Sequence, residues 1–188
     1  VVLFQLYAVL GRRVGRGPED LAQVAAPPTG ERARIAPPPS TEAAINGLAA
    51  VRARDPNFDV EKFLEGARGA YELVVRSFHA GDRAALAPLL APAVLSTFES
   101  AMAAREAAGR EESVEFPHPP RADLESLSVA ADTFRASVRF LAELRRHERD
   151  GAGERTDDSR TAEVWTFERS VVSVNPNWTL IHVDPAEA

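Results

Sequence analysis

The hydrophobic pattern of this chain changes its period once, and that change is the strongest constraint on the fold. Between residues 60 and 78, apolar side chains recur every three or four positions, which is the spacing of one face of an α-helix. Between residues 134 and 145, apolar residues instead alternate with mostly polar ones, as in a half-exposed β-strand. Helices that precede strands, rather than alternate with them, predict an α+β fold.

Shorter helices are predicted on both sides of the long one. A weakly amphipathic helix is expected over residues 41–54, because Asp55-Pro56 disfavours further helical backbone. Asp82 can cap a second short helix, and Pro92 suits the first turn of a third.

Two glycines interrupt the long helical pattern. Gly66 and Gly69 each cost a helix up to about 1 kcal/mol relative to alanine, so we expect another backbone to pack closely against them. The residues that we expect in the core of the helix and the main strand are Phe63, Tyr71, Val138 and Phe140.

Four antiparallel strands are predicted in the second half of the chain. They cover about residues 124–130, 134–145, 161–170 and 178–183, and the polar segment Glu148–Ser159 is interpreted as a loose hairpin tip. The prediction is therefore an α+β domain with N-terminal helices packed on one face of a curved, four-stranded antiparallel sheet.

The first ten residues are mostly apolar and precede three arginines. They supply half of the ~20 residues that a membrane-spanning helix needs, and we interpret them as the C-terminal part of a membrane anchor. A short amphipathic helix packed on the domain is the alternative. The predicted anchor side chains are Val1, Val2, Leu3, Phe4, Leu6, Tyr7, Val9 and Leu10.

Charge then indicates an orientation for this anchor. Arg12, Arg13 and Arg16 directly follow the apolar run, and arginines next to a membrane helix stay on the cytoplasmic side. We therefore expect a single-pass membrane protein with its domain in the cytoplasm. Residues 11–40 contain six prolines, which favours a semi-extended linker.

The rest of the chain is acidic. Residues 1–40 hold five arginines against three acidic residues, a balance of +2, so the net charge of −6 leaves −8 for the remainder. Nucleic acid is excluded as a partner, since its nonspecific binding depends on basic groups. The chain has no cysteine, which excludes disulfides and thiolate sites.

No motif in the sequence indicates catalysis, a cofactor or a metal. The four histidines show no metal-ligand spacing, and no nucleophile or phosphate-binding motif is present. The charged clusters Arg105-Glu106 and Glu111-Glu112 are interpreted as a solvated surface. Asp132 and His182 are the groups that an enzyme of this fold would use, although Asp132 lies where a turn is expected.

Aromatic residues cluster on the predicted strands and the long helix. Core packing is their default role, and the alternative is that they line a ligand cavity. The residues assigned to that cavity are Tyr71, Phe134, Phe140, Trp165, Phe167 and Trp178.

The order of several short motifs resembles the C-terminal domain of the Tim44 family, including its bacterial membrane-anchored members. The resemblance covers about residues 55–183, and we take residues 55–188 as the domain. The motifs are Asp55-Pro-Asn-Phe58, Phe63-Leu-Glu-Gly-Ala-Arg-Gly-Ala-Tyr-Glu72, Phe78-His-Ala-Gly-Asp82, Arg105-Glu106, Val138-Arg-Phe140, Val164-Trp-Thr-Phe167 and Pro176-Asn-Trp178.

The resemblance implies a cone-shaped fold of the nuclear-transport-factor-2 type and a scaffold role at a membrane without catalysis. It also implies contact with anionic lipid and with a protein partner such as a translocase or chaperone. We therefore expect a membrane-tethered adaptor related to protein translocation. The alternatives are an isomerase- or hydratase-like enzyme of the same fold and a carrier of lipid or another small ligand.

Overall fold

The computed structural model describes residues 40–172 and 177–186, with side chains from residue 47 onward. The predicted anchor, its arginines and the linker up to residue 39 lie outside these ranges. Within them, no helix is long and apolar enough to cross a membrane. The elements are α1 Ser40–Arg54, α2 Val60–Ala80, α3 Arg83–Leu86, α4 Pro92–Ala107, β1 Glu111–Glu115, β2 Arg121–Ala130, β3 Thr133–Asp150, β4 Gly153–Ser170 and β5 Thr179–Pro185.

Helix α2 is the central helix, and its ends are set by local chemistry. Asp59 accepts hydrogen bonds from the backbone N–H groups of Glu61 and Lys62, which satisfies donors at the first turn. Gly81 ends the helix in the left-handed conformation, with a φ of 74°, where a side chain would be strained. The apolar face between these ends packs on the sheet.

The strands form one curved antiparallel sheet. Strand β3 pairs along one edge with both β1 and β2, and along the other with β4, which in turn pairs with β5. The sheet therefore has five strands where four were predicted. The extra strand is β1, whose sequence Glu-Glu-Ser-Val-Glu carries too few apolar residues to indicate a strand.

The predicted loose hairpin tip at 148–159 is wrong, because β3 and β4 remain paired up to Asp150 and Gly153. Ion pairs across the two strands join Arg145 to Asp158 and Arg146 to Asp157, at 2.9 and 3.2 Å. Opposite charges on neighbouring strands stabilise a ladder that has little apolar alternation.

The core lies between α2 and the inner face of the sheet. The prediction that Phe63, Tyr71, Val138 and Phe140 are buried is confirmed. The Tyr71 ring stacks on Phe140 with 4.5 Å between centroids and also contacts Trp165 at 4.7 Å. Stacked and tilted rings of this kind fill the centre of the domain.

Helix α1 packs tightly along β2, and Gly47 permits the contact. A Cβ atom at Gly47 would lie 1.6 Å from the carbonyl oxygen of Leu127, well inside van der Waals contact. Val51, one turn later, is fully buried. Residues 55–59 connect α1 to α2, and within this connection Asp55 binds Arg169 and Phe58 is buried.

Candidate binding groove

A groove with a volume of about 650 Å³ runs beside the first half of α2. It is bounded by α2, by the α1–α2 connection, by Leu89, by residues of β4 and by the two residues that precede β5. Its lining residues are Asp55, Asn57, Phe58, Asp59, Lys62, Phe63, Gly66, Ala67, Gly69, Ala70, Leu73, Leu89, Phe167, Arg169, Asn177 and Trp178.

Aromatic rings form the apolar part of the groove. The Phe63 ring lies 4.8 Å from Trp178 and 5.8 Å from Phe58, measured between centroids, and meets Phe167 edge-on at 6.4 Å. These rings hold one another in place, so the surface that they present is preformed. Groove walls of this kind suit an apolar ligand surface.

The α2 side of the groove is formed by small residues. A Cβ atom built at Gly66 or Gly69 would meet nothing within 4 Å in the described structure. The expectation that another backbone packs on these glycines is therefore wrong for the domain itself, since the groove lies there instead. Leu73, on the same side of the helix, is 47% exposed.

Arg169 contributes the most enclosed charge in the groove. Its side chain is only 16% exposed, and its Nη2 donates to the Oδ2 of Asp55 at 2.7 Å. The guanidinium carbon lies 5.0 Å from the centre of the Phe134 ring and 5.3 Å from that of Trp178. The buried Nε–H of Arg169 has no acceptor among the described residues.

The carboxylates of the groove already have hydrogen-bond donors. Asp55 binds Arg169 and accepts from the backbone N–H of Asn57 at 3.2 Å. Asp59 caps α2, and the backbone donors from Lys62 and then Glu61 hold its pKa below the usual value. Both carboxylates are therefore engaged in contacts within the domain.

Two of the six aromatic residues that we assigned to a cavity line this groove: Phe167 and Trp178. The other four, Tyr71, Phe134, Phe140 and Trp165, are fully buried. These four belong to the packed interior of the domain. The groove also takes in Phe58, Phe63 and Leu73, which were not assigned to it.

Glu163 is a buried acid that the sequence analysis missed. Glu163 is 6% exposed and accepts a 2.9 Å hydrogen bond from Nε1 of Trp165. Burial raises the pKa of Glu163 to about 7, against a small lowering effect of that hydrogen bond. The sequence could have indicated this burial, because Glu163 lies two and four residues before Trp165 and Phe167 and therefore on the same face of β4.

Tyr71 completes this polar group within the core. Its hydroxyl lies 3.0 Å from Oγ1 of Thr161, and burial, with the nearby Glu163 carboxyl, raises its pKa. Tyr71 is enclosed by the rings of Phe116, Phe140 and Trp165, and Glu163 is buried beside Trp165, so both polar side chains lie within the packed interior.

The two groups considered for an enzyme lie on the surface and apart from each other. Asp132 sits in the β2–β3 turn, as expected, with its side chain 69% exposed and 3.6 Å from Arg54. His182 points outward from β5, is 53% exposed, and bonds Asp184 at 3.0 Å. They do not form a shared site.

A second buried cluster joins the end of α2, the end of α4 and β1. Oε2 of Glu112 lies 2.9 Å from Nδ1 of His79 and 3.2 Å from Nη1 of Arg105, whose Nη2 donates to the Phe78 carbonyl at 2.7 Å. Although burial acts to raise the pKa of Glu112, the His79 hydrogen bond and the Arg105 charge hold it below its usual value.

This cluster corrects the interpretation of both charged motifs as a solvated surface. Arg105 and Glu112 are buried, whereas their neighbours Glu106 and Glu111 are exposed, with Glu106 bound by Arg83 at 2.9 and 3.0 Å. Within residues 47–172 and 177–186, no group of three acidic or histidine side chains is placed to hold a metal.

Comparison with known families gives one match over most of the chain. The model of the Tim44-like domain family matches residues 44–185. No curated protein matches the sequence.

Comparison with solved structures gives similar folds. The intermembrane-space region of the chloroplast protein ARC6 is 16% identical, with a TM-score of 0.53 over 71% of this chain and 100% of the other. A nuclear transport factor 2-like protein from Salmonella enterica is 12% identical, with a TM-score of 0.45 over 69% and 95%. The predicted α+β class, with N-terminal helices followed by a curved antiparallel sheet, is confirmed.

Proposed function

The chain belongs to the Tim44-like domain family, and we propose on this basis that it is a non-catalytic adaptor tethered to the bacterial inner membrane. Its domain binds a protein or lipid partner from the cytoplasmic side, in a role related to protein translocation. A translocase or a chaperone is the kind of protein partner that fits this role, and anionic lipid is the alternative.

The groove beside α2 is the observation that carries this proposal. It offers aromatic rings, exposed helix backbone and the exposed side chain of Leu73, while Asp55 and Asp59 are already bound by donors. A preformed, mainly apolar surface whose two acids, Asp55 and Asp59, are bound by donors within the domain supports binding over catalysis.

Charge supports attachment through the N-terminal segment. The remainder of the chain beyond residue 40 carries −8 and is repelled by an anionic leaflet, whereas basic groups near the surface gain about 1 kcal/mol each. Arg12, Arg13 and Arg16 follow the apolar run directly, so this segment holds the domain at the membrane.

Topology is tested by fusing alkaline phosphatase or a cytoplasmic reporter after Ala188. We expect the cytoplasmic reporter to be active and the phosphatase to be silent, because the arginines hold the downstream domain in the cytoplasm. Phosphatase activity from the fusion would reverse the orientation.

Partner binding is tested by site-directed crosslinking in membranes, since the chain has no cysteine of its own. We expect a crosslinker on Leu73→Cys to capture one discrete partner. Ser128→Cys, an exposed position outside the groove lining, is the matched control. Equal products from both positions would remove the groove from the adaptor function.

A further inference from the structure

One edge of the sheet is open over nine residues, 153–161, which we call the open β4 edge. Strand β3 pairs with β4 along its whole length, whereas β5 pairs with β4 only from residue 163 to residue 168. Between residues 153 and 161, the side of β4 that faces away from β3 forms no backbone hydrogen bond with a described residue. Residues 153–158 and Arg160 are exposed, so no described element lies over them.

The fold covers other strand edges with neighbouring elements. Helix α1 lies along β2, where it reaches the Leu127 carbonyl. At the start of β5, the backbone N–H of Leu180 donates to the Leu89 carbonyl at 2.8 Å, and its carbonyl accepts from the N–H of Ala91 at 2.9 Å. The open β4 edge has no such cover among the described residues, so its backbone groups can pair with another strand.

The direction of these backbone groups follows from the end of β5. The N–H of Ala186 donates to the Ala162 carbonyl at 2.9 Å, so that carbonyl points away from β3. Carbonyl directions alternate along a strand, and the pairing of β3 with β4 has no register shift here. The outward-pointing N–H and C=O groups therefore belong to the even-numbered residues from 154 to 160.

The charged side chains of the open β4 edge are neutralised by β3. Unpaired charges are one means by which natural proteins keep edge strands from meeting. Here each of the five charged residues has an oppositely charged partner on β3, so the edge and its partners carry no net charge that would repel a second copy. The pairs are Asp158–Arg145, Asp157–Arg146, Arg155–Glu148, Glu154–Arg149 and Arg160–Glu143.

Two copies of this edge can pair over its whole length in one antiparallel register, with the twofold axis at its midpoint, Asp157. Glu154 then lies opposite Arg160 of the second copy, and Thr156 lies opposite Asp158, so each pair occurs twice. Opposite charges and hydrogen-bonding side chains in directly opposed positions stabilise paired strands. The two Asp157 side chains meet at the axis, where each already has an arginine of β3 as its partner at 3.2 Å. The edge is therefore complementary to a second copy of itself.

We propose that two copies of this chain associate through the open β4 edge and form one continuous sheet. The contact is isologous, so both copies use the same groups and the assembly closes as a dimer. This inference goes beyond the adaptor function proposed above and does not depend on it. None of the residues that line the groove beside α2 belongs to this edge.

An introduced cysteine tests the register, because the chain has no cysteine of its own. The backbone groups of Asp157 turn toward β3, so the two copies of this residue form a non-hydrogen-bonded pair with Cα atoms about 4.5 Å apart, a spacing that suits a disulfide. We expect Asp157→Cys in the full 188-residue chain to give a disulfide-linked dimer under mild oxidation.

Arg155→Cys is the matched control. It changes another exposed, ion-paired residue on the same face of β4. In the proposed register Arg155 lies opposite Ser159, so its two copies are about 13 Å apart and should stay unlinked. Equal yields of linked dimer from the two cysteine variants would overturn the proposal.

Thr156→Pro tests the backbone pairing. It removes an outward N–H from each copy, so sedimentation equilibrium should show a dimer Kd raised at least about tenfold. Proline is tolerated in an edge strand where the N–H faces solvent, so the melting temperature should change little. A stable Thr156→Pro variant that dimerises like wild type would contradict the proposal, as would a wild-type chain that stays monomeric at every concentration.

Charge reversal tests the same contact without changing the backbone. Arg160→Glu sets a glutamate against Glu154 at both ends of the paired edges, so the dimer Kd should rise about tenfold. Arg135→Glu breaks an exposed ion pair with Glu168 at the other end of β3, makes the same change in net charge, and should leave the Kd unchanged. Equal effects of the two reversals would assign association to net charge and overturn the proposal.

A different dimer would respond to different variants. Self-association that Leu73→Gln abolishes and Thr156→Pro leaves intact would use the groove beside α2 and overturn the proposal. The topology and Leu73→Cys crosslinking experiments decide the adaptor function separately, because the open β4 edge lies outside the groove lining.

Discussion

Aromatic residues lie on two sides of helix α2, but they are buried against the sheet on one side and line the open groove on the other. On the side facing the sheet, Tyr71 is fully buried and stacks on Phe140, and the rings leave only a few polar atoms enclosed among them. On the side facing the groove, Phe63 and Trp178 also pack together, but Gly66 leaves space beside them. Aromatic content alone therefore does not distinguish the core from the groove. The difference is whether another element of the fold packs over the aromatic rings.

The largest effect on stability should follow from removing a ring that is buried between α2 and the sheet. Phe140→Ala removes a fully buried ring, so it should lower the free energy of unfolding by ~3–5 kcal/mol, measured by urea denaturation. Leu73→Ala is the control on the groove side and should change it by less than ~0.5 kcal/mol. Similar losses from both variants would erase the difference between the two sides.

The covered side should also respond to pH through Glu163. Its folded pKa of about 7 exceeds the ordinary 4.5, so between these values the folded protein keeps a proton that the unfolded chain has released. The free energy of unfolding should therefore fall as pH rises from 4.5 to 7, by up to ~3 kcal/mol from this group.

Glu163→Gln removes this titrating group, so the free energy of unfolding should depend less on pH between 4.5 and 7. Above pH 7 the variant should be more stable than wild type, since it carries no buried charge. Glu168→Gln changes an acid on the outward face of the same strand and should leave the slope as it is. Parallel curves for wild type and Glu163→Gln would place Glu163 in contact with water.

A glycine-to-alanine substitution should destabilise the domain in α1 but stabilise it in α2. Gly47→Ala forces a methyl group against the Leu127 carbonyl and should cost ~2–3 kcal/mol, the upper part of the range for overpacking. Gly66→Ala fills open space and should stabilise the domain by up to ~1 kcal/mol. Thermal unfolding of both variants measures the two changes in stability. Destabilisation by Gly66→Ala would mean that the groove side of α2 is packed against other residues.

The smallest effect on stability should come with a large effect on binding. Leu73→Gln exposes no new cavity, so it should shift the free energy of unfolding by less than ~0.5 kcal/mol. Capture of the membrane partner should nevertheless decrease, because an apolar contact of the groove is lost. Chemical crosslinking of Leu73→Gln and wild-type chains in membranes, followed by blotting, compares the two. Undiminished capture would move the partner to another face.

The periodic parts of the sequence determined the secondary structure that they cover. The stripe from Val60 to Phe78 predicted α2, and the alternation after Phe134 predicted the main strand with Phe140 inside. Strand β1 and the outer ends of β3 and β4 were missed, because ion pairs such as Arg145–Asp158 stabilise them. Cross-strand ion pairs leave no hydrophobic period along the chain.

The tertiary structure alone decided which residues meet. Asp55 and Arg169 are 114 positions apart, and no local pattern indicates that they pair. Burial of Arg105, Glu112 and Glu163 likewise depends on elements that fold over them. Amino-acid type and spacing determine local backbone and one apolar face, but exposure and charge pairing depend on long-range packing, which the sequence encodes only through the whole fold.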